Sequence, residues 1–167
     1  MSLEVRGYEE RDHDACRALW CELTQWHRDL YDDQSIWRDR DPGDFFDEHL
    51  ARVGPERIWV AEVDGSVVGF AGLIVDGRVG ELEPIVVDPS ARGAGVGRAL
   101  AEQVLSAARE ADLRRIDVKP VARNDSAIAF FHELGFDTLG QLELMIYLVE
   151  PKDWPVRARI ADRDFRA

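Results

Sequence analysis

"VDPSARGAGVGRAL", residues 87–100, packs three glycines and two arginines between an apolar run and a helical one. Glycine adopts backbone conformations that side chains forbid. Successive N–H groups can then turn inward at a helix start, and such a nest, aided by the helix dipole, binds a phosphate. Arg92 and Arg98 can add charge-assisted contacts. The plainer reading is a turn that merely starts a helix. Two other glycine-loop ligands fit poorly. A P-loop ends in Gly-Lys-Ser/Thr, whereas Gly97-Arg98-Ala99 stands here. A dinucleotide fingerprint needs a third glycine where Arg98 stands and an early parallel strand before the turn, although Asp117 lies at a suitable distance for a ribose-binding acid.

Outward from that stretch, "RIWVAEV" (57–63), "SVVGFAGLIV" (66–75) and "VGELEPIVV" (79–87) are strand-like. Asp64-Gly65 and Asp76-Gly77 between them are tight-hairpin signals, so an antiparallel meander precedes the glycines. "LEVRGY" (3–8) is a further short strand. From Asp12, Ala15, Leu19, Trp20, Leu23, Trp26, Leu30 and Tyr31 recur at helical spacing, and a second helix starts near Asp41-Pro42 with Phe45, Phe46, Leu50 and Val53 inward. After the loop, Val96, Leu100, Val104, Ala108 and Ala111 mark one face of a long helix. "RRIDVKP" (114–120) is a strand parallel to its predecessor. "NDSAIAFFHELGF" (124–136) begins with capping residues and stops at Gly135. "LELMIYLV" (142–149) is the expected last strand. The fold class is mixed α/β, a mostly antiparallel central sheet flanked by helices. Residues 1–150 are expected to form one domain and 151–167 a tail whose structure stays open.

With 21 basic and 33 acidic residues, a net charge of −12 argues against nucleic acid, which demands a basic face. The excess is either a solvated surface or an acidic mouth for a cation. No apolar run is long enough for a bilayer, and the charged start is unlike a signal peptide. Cys16 and Cys21 match no usual metal spacing and suit a reduced, cytoplasmic protein. No metal site is expected.

The glycine stretch resembles the acetyl-coenzyme A binding motif of the GCN5-related N-acetyltransferases, Arg/Gln-x-x-Gly-x-Gly/Ala, matched by Arg92-Gly93-Ala94-Gly95-Val96-Gly97. "RNDSAIAFFHELGF" resembles the family's second motif, and the two stand in the right order from about residue 57 to 149. The resemblance implies a GNAT-like acyl-CoA N-acyltransferase fold. It places the pantetheine arm along the backbone of Ile85, Val86 and Val87, like an added strand. It places the pyrophosphate on Arg92, Gly93, Ala94, Gly95, Val96 and Gly97, with Arg98 nearby. Asn124, Ala127, Phe130 and Phe131 would border the pantetheine and adenine, although core packing accounts for the two Phe equally well.

The implied reaction moves acetyl from acetyl-CoA directly to a primary amine, with no covalent enzyme intermediate. An amine with a pKa of about 10.4 must lose a proton before it attacks. Glu81 and Glu83, two apart on a strand, are the candidate bases, and Pro84 beside them suits a bulge or splay. The family's usual tyrosine is replaced by Phe131, which leaves Tyr147 or His132 as stand-ins for the general acid. A thiol pKa of about 8.5 makes the thiolate a tolerable leaving group without one. A backbone N–H near Val86 or Val87 could meet the oxyanion. For the acceptor, Trp26, His27, Tyr31, Trp37, Phe45 and Phe46, mixed with Asp29, Asp32, Asp33, Asp39 and Asp44, either pack a core or line a pocket for a small amine with an apolar or cationic body. The resemblance allows a homodimer. The rival readings are a non-catalytic acyl-CoA sensor and an enzyme acting on a protein amine.

Overall fold

The computed structural model describes residues 2–148 and 152–167. Among them the order is β1 (Leu3–Gly7), α1 (His13–Tyr31), α2 (Asp44–Val53), β2 (Ile58–Val63), β3 (Ser66–Asp76), β4 (Val79–Val87), α3 (Val96–Glu110), β5 (Arg115–Asp117), α4 (Asp125–Glu133), β6 (Val156–Ile160) and β7 (Arg163–Arg166). The chain divides into two compact units, Met1–Lys119 and Pro120–Ala167. No helix among the described residues is long and apolar enough to cross a membrane.

In the first unit the sheet runs β1-β2-β3-β4-β5. Its first four strands are antiparallel, and β5 lies parallel to β4. This is the mixed, mostly antiparallel sheet that the strand pattern predicts. Asp64 and Gly65 both take positive φ, 48° and 86°, the conformation a tight hairpin turn requires. Phe70 and Val86 share a buried cluster with Cys16 and Leu19 of α1 and Phe46 and Val53 of α2, so these helices cover one face. Side chains alternate along a strand. Gly69 and Ala71 therefore look the other way, and a Cβ on Gly69 would meet Leu100 of α3 at 3.2 Å. That helix covers the opposite face with Val96, Leu100, Val104 and Ala108 buried. Cys16 is fully buried and its thiol is pushed up to about 12 by desolvation, which makes it an inert packing residue.

An ion-pair network ties β1 to the start of α1. Arg6 donates to both carboxylate oxygens of Asp12, at 2.7 and 2.8 Å, and to Glu62 at 2.9 Å. Asp12 also accepts the Glu9 N–H at 2.9 Å. The Arg6 guanidinium holds the buried Asp12 carboxyl below the usual carboxylate range.

The β3–β4 ladder carries a bulge. Its register passes from Ala71↔Ile85 to Leu73↔Leu82, so Glu83 and Pro84 together oppose Gly72. Proline has no N–H to contribute to a ladder, which suits it to this break. The extra residue reverses the facing of β4. Val86 lies with Phe70 on the α1–α2 face, while Leu82 pairs with Leu73 on the α3 face, and Glu81 consequently returns to the α2 side.

Three sequence expectations change. Trp26, expected inward on α1, is half-exposed beneath the Arg92 guanidinium, 5.1 Å from its ring centroid. β5 covers Arg115–Asp117 alone, short of the expected 114–120. The expected strand 142–149 is absent over residues 142–148, and Val149 lies outside the described residues. Leu144, Ile146 and Leu148 are 66%, 82% and 87% exposed. A strand exists only where a neighbour takes up its N–H and C=O groups, and the one ladder described in Pro120–Ala167 is the β6–β7 hairpin, closed on itself. The turn of that hairpin is Ala161-Asp162, with φ of 49° and 58°. The β2–β3 and β3–β4 turns of the first unit carry Gly65 and Gly77, whereas this turn has neither glycine nor proline. Elsewhere in the second unit Asn124 caps α4 by accepting the Ala127 N–H at 3.1 Å, and Gly135 ends the helix at φ 94°. Arg157 pairs with Asp125 at 3.0 Å, and Arg123 lies over the Trp154 ring.

Candidate active site

The site starts from what β4 does at its two ends. At its beginning β4 pairs with β5 through Val79↔Arg115, Gly80↔Ile116 and Glu81↔Asp117. Beyond Glu81 no described strand pairs with that edge, although β4 continues to Val87 and pairs on its other side with β3. Along residues 85–87 that edge therefore has no strand partner among the described residues, the condition for an extended ligand to add itself as a strand.

At its far end β4 runs into the glycine loop. Gly93 and Gly95 take φ of 77° and 85°, and a Cβ built on either meets nothing within 4 Å. The opening stretch needs its glycines for these left-handed positions, and the space before them is open. Gly95 is the N-cap of α3 and supplies no side-chain cap, so the N–H groups of Val96, Gly97 and Arg98 remain the orphan donors of a helix start. Together with the helix dipole they suit a pyrophosphate. Arg92 and Arg98 flank the loop and are exposed. Arg92 donates to the Val87 carbonyl at 3.1 Å and rests over Trp26.

Glu81 is the last β4 residue paired with β5, and its side chain is 19% exposed. It accepts a hydrogen bond of 2.6 Å from Lys119 Nζ. Glu83 sits in the bulge two residues on, close enough for its charge, with that of Glu81, to raise the Lys119 pKa. Glu81 thus holds the ammonium at the point where the strands part, with the charge of Glu83 within electrostatic range. Sequence reading missed Lys119. Its signal was composition: it is one of two lysines among 21 basic residues, and lysine supplies a compact point charge where arginine supplies a fork.

His49 is a second residue that sequence reading missed. It lies buried on α2, its ring 5.4 Å from that of Trp20. A Cβ on Gly72 would come within 2.5 Å of its Nε2 and 2.6 Å of the Glu83 carbonyl oxygen, so glycine at 72 lets the imidazole close on the bulge. Burial first, and the charge of Arg52 second, push its pKa down to about 4, which keeps the ring neutral.

The acidic stretch has other work. Arg17 of α1 binds Asp41 at 2.7 Å, Asp44 at 3.1 Å and also Asp47, clamping α1 to α2. Asp29 accepts from Gln25 and Gln34, and Asp33 accepts from Ser35. Of the aromatic group, Phe46 is fully buried in the core, while Trp37 and Phe45 meet at a tilt with centroids 5.3 Å apart and Arg40 covers Phe45.

The remaining sequence-predicted residues lie in the second unit. Asn124 is the α4 cap and Ala127 its N–H partner. Phe131 is 7% exposed between Phe130 and Phe136, at 5.2 and 5.7 Å, which is core packing. Tyr147 is 38% exposed and meets Trp154 edge to face at 5.5 Å.

Comparison with known proteins agrees with this geometry. The acetyltransferase (GNAT) family model matches residues 16–136. An uncharacterised N-acetyltransferase of Methanocaldococcus jannaschii is 32% identical over 95 residues, covering 53% of this chain, which spans only 42% of that protein's length. An IAA acetyltransferase of Azospirillum brasilense is 30% identical over 129 residues, 76% of this chain and 80% of its own. A Trypanosoma brucei acetyltransferase of solved structure superposes with a TM-score of 0.62 at 27% identity, over 87% of this chain and all of that one. With a free β4 edge, an uncapped α3 start and these matches in hand, the chain belongs to the GNAT family of acetyltransferases.

Proposed function

We propose that the protein is an N-acetyltransferase that transfers acetyl directly from acetyl-CoA to a primary amine of a small molecule, with residues 1–150 acting as one catalytic domain in the cytoplasm. The observation that carries this reading is the layout of β4. A candidate base, a free backbone edge and an anion-binding helix start follow one another along residues 81 to 98.

Acetyl-CoA supplies the activated acetyl group as a thioester. The residues that would hold it are the backbone of Ile85–Val87 for the pantetheine arm and the loop from Arg92 to Arg98 for the pyrophosphate. By the family resemblance Asn124, Ala127 and Phe130 would border the pantetheine and adenine, while Phe131 packs between Phe130 and Phe136. Glu81 takes the proton of the incoming ammonium, directly or through a water, with Glu83 as the neighbouring carboxylate. Lys119 keeps a positive charge beside them, and Tyr147 is the hydroxyl offered to the departing sulfur.

Thiol release across an amine panel tests the reading, wild type beside Glu81→Gln/Glu83→Gln. Turnover lost in the double variant with acetyl-CoA binding intact is the expected result. Tight binding without turnover on any amine would instead indicate a sensor, and failure to bind any acyl-CoA would remove the loop assignment.

A further inference from the structure

A cleft of about 370 Å³ opens on the α2 side of the sheet, where β4 and β5 are paired, and its charged walls are Arg52, Asp76, Glu81, Arg115 and Asp117. Its volume falls in the range of small-molecule sites. The charges inside it are not equivalent. Arg115 is turned onto Asp117, with Nε to Oδ1 at 2.8 Å and Nη2 to Oδ2 at 3.1 Å. Glu81 accepts from Lys119. Arg52, at the C-terminal end of α2, makes no hydrogen bond or ion pair among the described residues. The cleft thus holds an uncommitted guanidinium and, on another wall, the carboxylate assigned above as the base.

We propose that the acceptor is a small amine that also carries an oxyanion, a carboxylate or a phosphate, with its ammonium at Glu81 and its oxyanion on Arg52. The inference rests on the acetyltransferase reading and narrows its substrate class. A purely cationic amine at Glu81 would meet a second positive charge, that of Arg52, lining the same cleft. An amine bearing an acid meets an opposite charge at each end. The arginine fork matches a carboxylate or a phosphate with two parallel N–H donors, which fixes orientation as well as attraction. The acidic stretch of α1 and α2 offers a polycation little, because Asp41, Asp44 and Asp47 are held by Arg17. The face of β4 also agrees: the bulge returns Glu81 to the α2 side, where Arg52 stands.

The test compares acids with matched amines that lack the acid: phenylalanine beside phenethylamine for a carboxylate, phosphoethanolamine beside ethanolamine for a phosphate. For each pair the ratio of kcat/KM is measured in the full chain and in Arg52→Met and Arg52→Lys. At least one acid should exceed its matched amine tenfold or more, and which pair does so names the oxyanion. Arg52→Met should collapse that ratio by at least tenfold, the scale of a lost charge-assisted pair, and Arg52→Lys should restore part of it. Matched amines preferred in both pairs, or a ratio unmoved by Arg52→Met, would overturn the proposal. Calorimetric titration of the same four compounds separates this outcome from failure of the acetyltransferase reading. Heat of binding for an acid that disappears in Arg52→Met, without turnover, keeps the anion site and rejects the enzyme. No binding of either acid and no turnover rejects the site.

Discussion

Lys119 Nζ and Glu81 Oε2 stand 2.6 Å apart where β4 and β5 cease to pair. The hydrogen bond to Glu81 raises the Lys119 pKa above its usual 10.5, so the lysine stays an ammonium throughout the neutral range and cannot itself be the base. Glu81→Gln should lower kcat by about 10²- to 10⁴-fold, the usual contribution of a general base, and Glu83→Gln by less. Cofactor affinity should hold in both, measured by calorimetry. Lys119→Met should change stability by under about 1 kcal/mol, because the lysine side is exposed, and should lower KM for amines a few-fold by removing a competing ammonium.

The left-handed loop makes a backbone prediction. Gly95 sits at φ 85° with open space beyond its Cα. Gly95→Ala should cost about 1–2 kcal/mol of strain with no clash, and should weaken acetyl-CoA binding at least tenfold as the α3 start shifts. Thermal melts and calorimetry separate the two effects.

Gly72→Ala tests the bulge. The new methyl would meet His49 Nε2 at 2.5 Å and the Glu83 carbonyl at 2.6 Å, and one of those is backbone. A loss of about 1–3 kcal/mol is expected from overpacking, with turnover falling beyond what the stability change explains because Glu83 is displaced.

His49 sets an acid response. Its folded pKa is about 4 against 6.5 when unfolded, so between those values the unfolded chain binds more protons. Stability should therefore fall as pH drops from 6.5 to about 4, by at most about 3 kcal/mol. His27, lowered by burial, acts in the same direction. The lowered Asp12 carboxyl contributes stability that is full above its unfolded value of 3.8 and lost as pH falls through its folded value, below this window. His49→Phe should flatten the window, read by urea denaturation from neutral pH downward.

Asp12→Ala should cost about 3 kcal/mol, since it leaves the mostly buried Arg6 guanidinium with Glu62 as its remaining carboxylate partner. Because Asp12 is buried, the loss should persist in high salt, unlike that of an exposed pair.

Residues 57–111 carry their structure locally. Period-two apolar runs, Asp-Gly turns and a 3.6-period face specify the meander and α3, and the alternating glycines at 93 and 95 specify the left-handed loop before α3 because only glycine takes those φ values cheaply. The candidate bases and the proposed cofactor edge lie on the same strand, so they too are legible in the chain. Residues 142–148 read as a strand by the same rules and form none, since β-structure is completed by a partner that sequence pattern does not name. Trp26 reads as core and instead supports Arg92. The pairing of Lys119 with Glu81, the closure of His49 on Gly72 and the placing of Arg52 across a cleft from Glu81 join residues far apart in the chain. Local periodicity carries no information on such distances. They were decided by the bulge that turned β4 over and by the seating of α2 on the sheet.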